Sequence, residues 1–207
     1  MRSKADFSLY LVADEMHLEN FDSVIQKAIE GGVSALQFRA KNLSTRQMVE
    51  GGKKLLHLLR PFHIPLLIND RVDVALAIGA DGVHLGQSDL DVTDARIILG
   101  KNGLIGLSVE TLDQVVEANQ REIDYLAASP IFPTKSKLNC GRPWGLEGLK
   151  QISTLSMHPI IAIGGITLSN VKSIMANGGA GVAIISGIFD SIDPKKAAEE
   201  FSHAIRK

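Results

Sequence analysis

The sequence has little of what marks several protein classes. Its 207 residues include one cysteine, Cys140, so no intrachain disulfide can form, and we expect a reducing, cytoplasmic compartment. Aromatic residues make up only 5% of the sequence. The 22 Lys and Arg residues are balanced by 23 Asp and Glu residues, and this balance of charge excludes a broad basic surface for nucleic acid. No apolar run approaches the ~20 residues that cross a bilayer. We therefore expect neither a nucleic-acid nor a membrane partner.

What the sequence does have is a regular alternation of short apolar runs and longer amphipathic stretches. The strand candidates are residues 9–13, 33–39, 65–69, 82–85, 104–109, 125–129, 160–164 and 182–186. The helix candidates, with apolar residues at spacings of three and four, are 23–28, 44–60, 92–100, 112–119, 145–155, 169–176 and 194–205. Ser44, Asp91, Ser169 and Asp193 are predicted helix N-caps. Eight strands in so short a chain predict an α/β fold, a single (β/α)8 TIM barrel, with residues 1–207 as one domain.

Polar side chains follow the second predicted strand, at the end where such barrels bind ligands. Gln37, Arg39 and Lys41 occupy alternate positions, so they face the same side and offer one amide and two cations to a single anion. The alternative is that Arg39 and Lys41 only extend into solvent at the rim.

Two acids follow the third and fourth predicted strands. Asp70 and Asp89 stand beside the cationic cluster, and this arrangement suits a Mg²⁺ ion that bridges carboxylates and phosphate oxygens. The alternative is that Asp70 pairs with Arg71 or Arg39, while Asp89 caps a turn.

The ends of the last two predicted strands carry glycine and serine. Gly164, Gly165 and Ser186 let backbone N–H groups approach a phosphate, although a tight turn with positive φ would also select glycine. Ser108 ends the fifth strand and either donates into the mouth or satisfies a backbone group. His84 is interpreted as a hydrogen-bonded core or rim residue.

The connection at residues 130–145 is long for so compact a chain. This segment contains three prolines and two glycines, which exclude a continuous helix. A loop of this length is typical of a functional segment. No Walker loop, dinucleotide-binding glycine motif or zinc-protease motif occurs. The residues alone thus predict a barrel that binds one phosphate and, near strands two to four, a diphosphate with Mg²⁺.

Six segments together resemble the thiamine-phosphate synthase family from about residue 9 to the end of the sequence. They are LQFRAK at 36–41, INDR at 68–71, HLGQSD at 84–89, IGLS at 105–108, PIFPTKSK at 130–137 and AIGGI at 162–166. Each is weak alone, but their order on successive strand ends is specific.

The resemblance implies that a hydroxymethylpyrimidine diphosphate and a thiazole phosphate are joined to give thiamine phosphate and pyrophosphate. In the family, pyrophosphate departs first, and the thiazole nitrogen captures the resulting pyrimidine cation. By motif, the pyrimidine diphosphate would be held by Gln37, Arg39, Lys41, Asn69, Ser108 and Lys137, among which Arg39, Lys41, Ser108 and Lys137 would be catalytic. Asp70 and Asp89 would bind one Mg²⁺. The thiazole phosphate would be held by Thr134, Ser136, Gly165, Ile185 and Ser186.

Two other functions fit parts of this pattern. A thiazole tautomerase of the same fold would hold a thiazole phosphate, but it has no use for a diphosphate-bound metal. A non-catalytic phosphate-binding barrel would keep Gly164, Gly165 and Ser186 without a reason to keep both acids. The combination of Asp70, Asp89, Arg39 and Lys137 favours the synthase, and a homo-oligomer is compatible with the sequence.

Overall fold

Eight parallel strands close into one barrel in the computed structural model, which describes residues 5–14, 21–134 and 141–206. Each strand pairs with the next along the chain, and the eighth pairs with the first. The strands are β1 Leu9–Asp14, β2 Ala35–Arg39, β3 Leu66–Asn69, β4 Gly82–Leu85, β5 Leu104–Val109, β6 Tyr125–Ala128, β7 Ile160–Ile163 and β8 Gly181–Ile184. The predicted (β/α)8 barrel is confirmed, and each predicted strand is present with its bounds shifted by at most two residues.

Helices cover the outside of the barrel. They are α1 Phe21–Glu30, α2 Thr45–Leu59, α3 Val72–Ile78, α4 Val92–Leu99, α5 Leu112–Ala118, α6 Gly145–Leu155, α7 Val171–Ala176, α8 Ser186–Phe189 and α9 Pro194–Arg206. None of these described helices combines the length and apolarity that a bilayer crossing requires. The assignment of residues 1–207 to one domain stays a prediction.

Most of the predicted helix starts are stabilised by their caps. Ser44 forms a capping box with Gln47, and the Asp91 side chain accepts a hydrogen bond from the Thr93 N–H. The N-cap predicted at Ser169 is wrong, because α7 begins after Asn170. The Asn170 side chain instead accepts from the Thr167 N–H, which closes the turn before the helix.

Two apolar clusters hold the barrel together. The smaller lies inside the sheet and is built from inward-facing residues, among them Tyr10, Leu67, Tyr125 and Ile161. The larger lies between the strands and the helices and accounts for most of the buried residues. Because both faces of the strands are buried, β1 and β3 read as nearly continuous apolar runs.

Candidate functional site

A cavity of about 830 Å³ opens at the carboxyl ends of the strands. Eleven of the thirteen predicted site residues line it, namely Gln37, Arg39, Lys41, Asn69, Asp70, Asp89, Ser108, Thr134, Gly165, Ile185 and Ser186. The other two, Ser136 and Lys137, lie outside the described residues. Residues separated by up to 149 positions in the sequence (37 to 186) thus share one concave surface, because parallel strands end at one edge of the barrel.

The cations on one side of the cavity are each held by an acid. The Arg39 guanidinium forms an ion pair with Asp14, which lies directly opposite it in the register of β1 and β2. The Lys41 Nζ lies 3.6 Å from the Asp70 Oδ2. Ala40 between them is buried in the outer cluster, as the alternation of side chains in a strand requires.

Of the alternatives predicted for the two acids, the turn cap at Asp89 is present and the ion pair of Asp70 with Arg71 is not. Asp70 does not form its ion pair with Arg71, since the Arg71 guanidinium instead donates to Asp73 at 2.6 Å. Asp89 does cap a turn, because its Oδ2 accepts from the Gly86 N–H at 2.7 Å.

Asp70 and Asp89 form a close pair of like charges. The pKa of the Asp70 carboxyl is raised to about 6, first by burial and then by the hydrogen bond with Asp89 and the charge of Asp89, while Lys41 and Arg39 act in the opposite direction. The Asp70 backbone has φ +62°, a left-handed conformation that Asp adopts more readily than most residues. The pair disfavours two simultaneous charges, and a divalent cation would relieve that repulsion.

The donor set fits a magnesium ion. Mg²⁺ is commonly bound by one or two carboxylates together with water and substrate phosphate oxygens. Among the described residues, no three His, Cys, Asp or Glu side chains cluster as a protein-only metal site. The two carboxylates therefore fit an ion whose remaining ligands come from substrate and water.

The opposite side of the cavity is formed by the turns after β7 and β8. Gly164 and Gly165 have φ +94° and +65°, and Ile185 precedes the four-residue helix that begins at Ser186. The first N–H groups of a helix have no acceptor within the helix, so they can donate to an anion.

Glycine at position 165 is also required by close packing against the loop after β6. A Cβ at this position would lie 2.7 Å from the Pro133 carbonyl oxygen and 2.8 Å from the Phe132 Cβ. A turn that needs positive φ and a backbone that a phosphate can approach are the two interpretations of these glycines. The structure is compatible with both.

Gly165→Ala is expected to lower the free energy of unfolding more than Gly79→Ala. Both glycines have a left-handed φ, +65° and +68°, so both variants incur the backbone strain of about 1–2 kcal/mol. A Cβ at Gly79 meets nothing closer than 4.0 Å, whereas at Gly165 it collides with the loop, which adds about 1–3 kcal/mol. Urea unfolding of the two variants measures the difference, and equal losses would contradict the collision.

The floor of the cavity contains one polar residue that sequence reasoning missed, Tyr10, and one that it did not assign to the site, His84. Tyr10 lines the cavity and accepts a hydrogen bond from the Gln37 amide, and His84 contacts Ser108 at 2.9 Å. His84 is buried and hydrogen-bonded, in agreement with its interpretation as a hydrogen-bonded core or rim residue. The sequence signal for these residues is a polar side chain within an apolar strand. The signal was not sufficient, because the barrel decides which positions of a strand face inward.

Comparisons with known proteins agree with this geometry. Residues 9–188 match the family model described as thiamine monophosphate synthase. The chain is 45% identical to a thiamine-phosphate synthase of Vibrio campbellii over 93% of this chain and 95% of that protein. It is 41% identical to a thiamine-phosphate synthase of Persephonella marina over 97% and 96% of the two chains. A solved structure, the thiamine phosphate pyrophosphorylase from Pyrococcus furiosus, superposes with a TM-score of 0.89 at 38% identity, covering 99% of this chain and 98% of that one.

Proposed function

Because the chain belongs to the thiamine monophosphate synthase family and is a transferase, we propose that its cavity joins a hydroxymethylpyrimidine diphosphate to a thiazole phosphate and releases pyrophosphate. One observation carries this proposal. Two cations and a close acid pair on β2–β4 face the glycine turns after β7 and the start of α8 across a single cavity. The cavity thus offers separate places for a diphosphate and a monophosphate.

The diphosphate is assigned to the side built by β2–β4. Arg39 and Lys41 supply positive charge, while Gln37, Asn69 and Ser108 supply neutral hydrogen-bonding groups, and Lys137 is expected to approach from the loop after β6. Mg²⁺ held by Asp70 and Asp89 would neutralise charge on the diphosphate when bound. The charge on pyrophosphate increases as its bond to carbon breaks, so the cations stabilise the transition state more than the bound substrate.

The thiazole phosphate is assigned to the opposite side. Its phosphate would accept from backbone N–H groups near Gly165 and from the first turn at Ile185 and Ser186, with the Thr134 and Ser136 hydroxyls approaching from the loop. This places the thiazole ring toward the middle of the cavity, where its nitrogen can meet the pyrimidine carbon.

The reaction then requires no general base to generate the electrophile. The bond between the methylene carbon and the diphosphate oxygen breaks, and its electron pair leaves with pyrophosphate. The pyrimidine ring stabilises the resulting cation, and the lone pair of the thiazole nitrogen forms the new carbon–nitrogen bond. The chain's own role is to bind both substrates, stabilise the departing charge and keep water from the cation.

An assay with both substrates tests this proposal directly. Purified protein with Mg²⁺, the pyrimidine diphosphate and the thiazole phosphate is expected to release pyrophosphate and thiamine phosphate in equal amounts. Omission of either substrate should abolish both products. Conversion of the thiazole alone would indicate a tautomerase, and binding of thiazole phosphate without turnover would indicate a non-catalytic barrel.

Ser186→Ala is expected to raise the KM for thiazole phosphate at least ~10-fold and to leave the KM for the pyrimidine diphosphate within about 2-fold. The reason is the loss of the hydrogen bond that we expect the Ser186 hydroxyl to donate to the phosphate beside the backbone N–H groups, a contact that contributes about 1.5–3 kcal/mol. Steady-state kinetics with each substrate varied in turn measures the split. Thr154→Ala, which removes an exposed hydroxyl on α6, is the matched control, and an equal effect of Ser186→Ala on both KM values would contradict the assignment.

A further inference from the structure

Five polar side chains form a continuous hydrogen-bonded chain across the inside of the barrel. The Gln37 Nε2 donates to the Tyr10 hydroxyl at 3.1 Å, and the two tyrosine hydroxyls of Tyr10 and Tyr125 lie 3.0 Å apart. The Tyr125 hydroxyl lies 2.9 Å from the His84 Nδ1, and the His84 Nε2 lies 2.9 Å from the Ser108 Oγ. The chain therefore connects two residues of the cavity, Gln37 and Ser108, through its floor.

The number of protons available gives this chain a direction. A phenol carries one proton, and either tyrosine hydroxyl could donate in the bond between them. Because Tyr10 already accepts from Gln37, we assign its own proton to Tyr125. The Tyr125 proton then goes to the His84 Nδ1, which must be an acceptor. An imidazole that is neutral and accepts at Nδ1 carries its proton on Nε2, and in this assignment it donates that proton to the Ser108 Oγ. The hydroxyl proton of Ser108 is left to point into the cavity.

Packing holds Tyr125 and His84, in the middle of the hydrogen-bonded chain, in place. Tyr125 is fully buried, and its ring stacks on His84 with a centroid separation of 5.7 Å and an interplanar angle of 18°. Gly106 on the neighbouring strand makes room for this ring, since a Cβ there would collide with it. Burial raises the pKa of both tyrosines, so each phenol keeps its proton at neutral pH.

We propose that Tyr125 is a positioning residue, which acts through the His84 tautomer to make Ser108 a hydrogen-bond donor toward the bound substrate. The substrate group addressed is an acceptor of the pyrimidine diphosphate, either a ring nitrogen or a phosphate oxygen. Tyr125 does not line the cavity, so any effect of its hydroxyl on turnover must pass through its hydrogen-bonded partners, either His84 and Ser108 or Tyr10 and Gln37. The proposal assigns the effect to His84 and Ser108. This inference rests on the proposed function only where turnover is concerned.

The His84 tautomer tests the direction of the chain without any substrate. In protein with ¹⁵N-labelled histidine, and with the His84 signals assigned from a His84→Gln variant, we expect the proton on Nε2. Tyr125→Phe, which removes only the hydroxyl, should shift the ring toward a mixture of tautomers. A proton on Nδ1 in the unaltered protein would mean that the chain runs in the opposite direction and would overturn the proposal.

A double-mutant cycle tests the effect on turnover. Tyr125→Phe is expected to lower kcat about 10-fold in the parent and to have no further effect in a Ser108→Ala background, because the two changes remove the same contribution. Phe7→Leu is the packing control, since the centroid of the Phe7 ring lies 4.6 Å from that of the Tyr125 ring, but Phe7 is not part of the hydrogen-bonded chain. Phe7→Leu should lower stability and leave both the tautomer and kcat unchanged. Equal losses from Tyr125→Phe in both backgrounds would overturn the proposal.

A second variant that interrupts the hydrogen-bonded chain can be measured if Tyr125→Phe does not fold. Tyr10→Phe removes the link to Gln37 and should loosen the His84 tautomer in the same way. An unaltered protein without synthase turnover would contradict the proposed function, while the tautomer measurement would still decide the direction of the chain.

Discussion

Asp70→Asn is expected to stabilise the metal-free protein and to abolish its stabilisation by Mg²⁺. The folded state raises the Asp70 pKa to about 6, above the ordinary value of 3.8, so the fold disfavours the ionised carboxylate. Stability from this group is therefore present below about pH 4 and is lost as the pH rises through 6. One pKa unit corresponds to about 1.4 kcal/mol, and with the side chain 27% exposed we expect a gain of about 1–2 kcal/mol at pH 8.

Thermal unfolding in EDTA and in Mg²⁺ measures this effect. For a domain of this size 1 kcal/mol shifts the Tm by about 2–4 °C, so the variant should melt a few degrees higher in EDTA. Saturating Mg²⁺ should raise the Tm of the parent, because a ligand at 100 times its Kd adds about 2.7 kcal/mol, but not that of the variant. The Mg²⁺-dependent turnover of Asp70→Asn and of Asp89→Asn should fall by at least ~10²-fold, since a bound divalent ion contributes several kcal/mol to stabilising transition-state charge.

Glu50→Gln provides the control, because it converts an exposed carboxylate on α2 to an amide. It should leave the Tm in both conditions, and the turnover, close to those of the parent. A lower Tm of Asp70→Asn in EDTA would contradict the charge repulsion. An equal rise with Mg²⁺ in variant and parent would contradict the metal site.

Arg39→Ala is expected to reduce both turnover and stability, and the two losses should be separable. Removal of a cation beside the departing pyrophosphate should slow pyrophosphate release by about 10²–10³-fold, by analogy with the loss of one oxyanion donor. The same change removes the guanidinium that forms an ion pair with Asp14, a buried acid that is 7% exposed. We expect this to lower the free energy of unfolding by about 3 kcal/mol.

The double variant Asp14→Asn/Arg39→Ala distinguishes the two effects. It should recover part of the lost stability in urea unfolding, since the buried charge is gone, but none of the lost turnover in a single-turnover assay. Arg121→Ala removes a partly exposed arginine that pairs with Asp91 and Glu117 outside the cavity, and its turnover should stay within a few-fold of the parent. Recovery of turnover in the double variant would show that Arg39 acts only by balancing Asp14.

The strands were the part of the fold that local sequence predicted well. Continuous apolar runs between glycine and polar turns are sufficient to find a buried parallel strand, and all eight were found. The helices α3 and α8, which are short and begin without a side-chain cap at Arg71 and Ile185, were missed. The equally short and uncapped α7 was found from its apolar spacing. Tertiary packing rather than local sequence decides such segments.

The candidate site shows the same division between local and distant information. The strand-end positions of Arg39, Asp70 and Asp89 could be predicted, because the fold brings strand ends together. The pairing of Arg39 with Asp14 could not, since it depends on the register between β1 and β2. The chain from Gln37 to Ser108 depends in turn on which side chains five different strands point inward.

The contact between Gly106 and the Tyr125 ring restricts the order in which these two positions can change over evolutionary time. Any side chain at position 106 would collide with the ring, and the two residues are direct neighbours in the register of β5 and β6. A lineage can therefore enlarge position 106 only after position 125 has become smaller. The reverse order passes through an overpacked intermediate that is less stable by about 1–3 kcal/mol. The pair should thus drift together, with the glycine the last to be replaced.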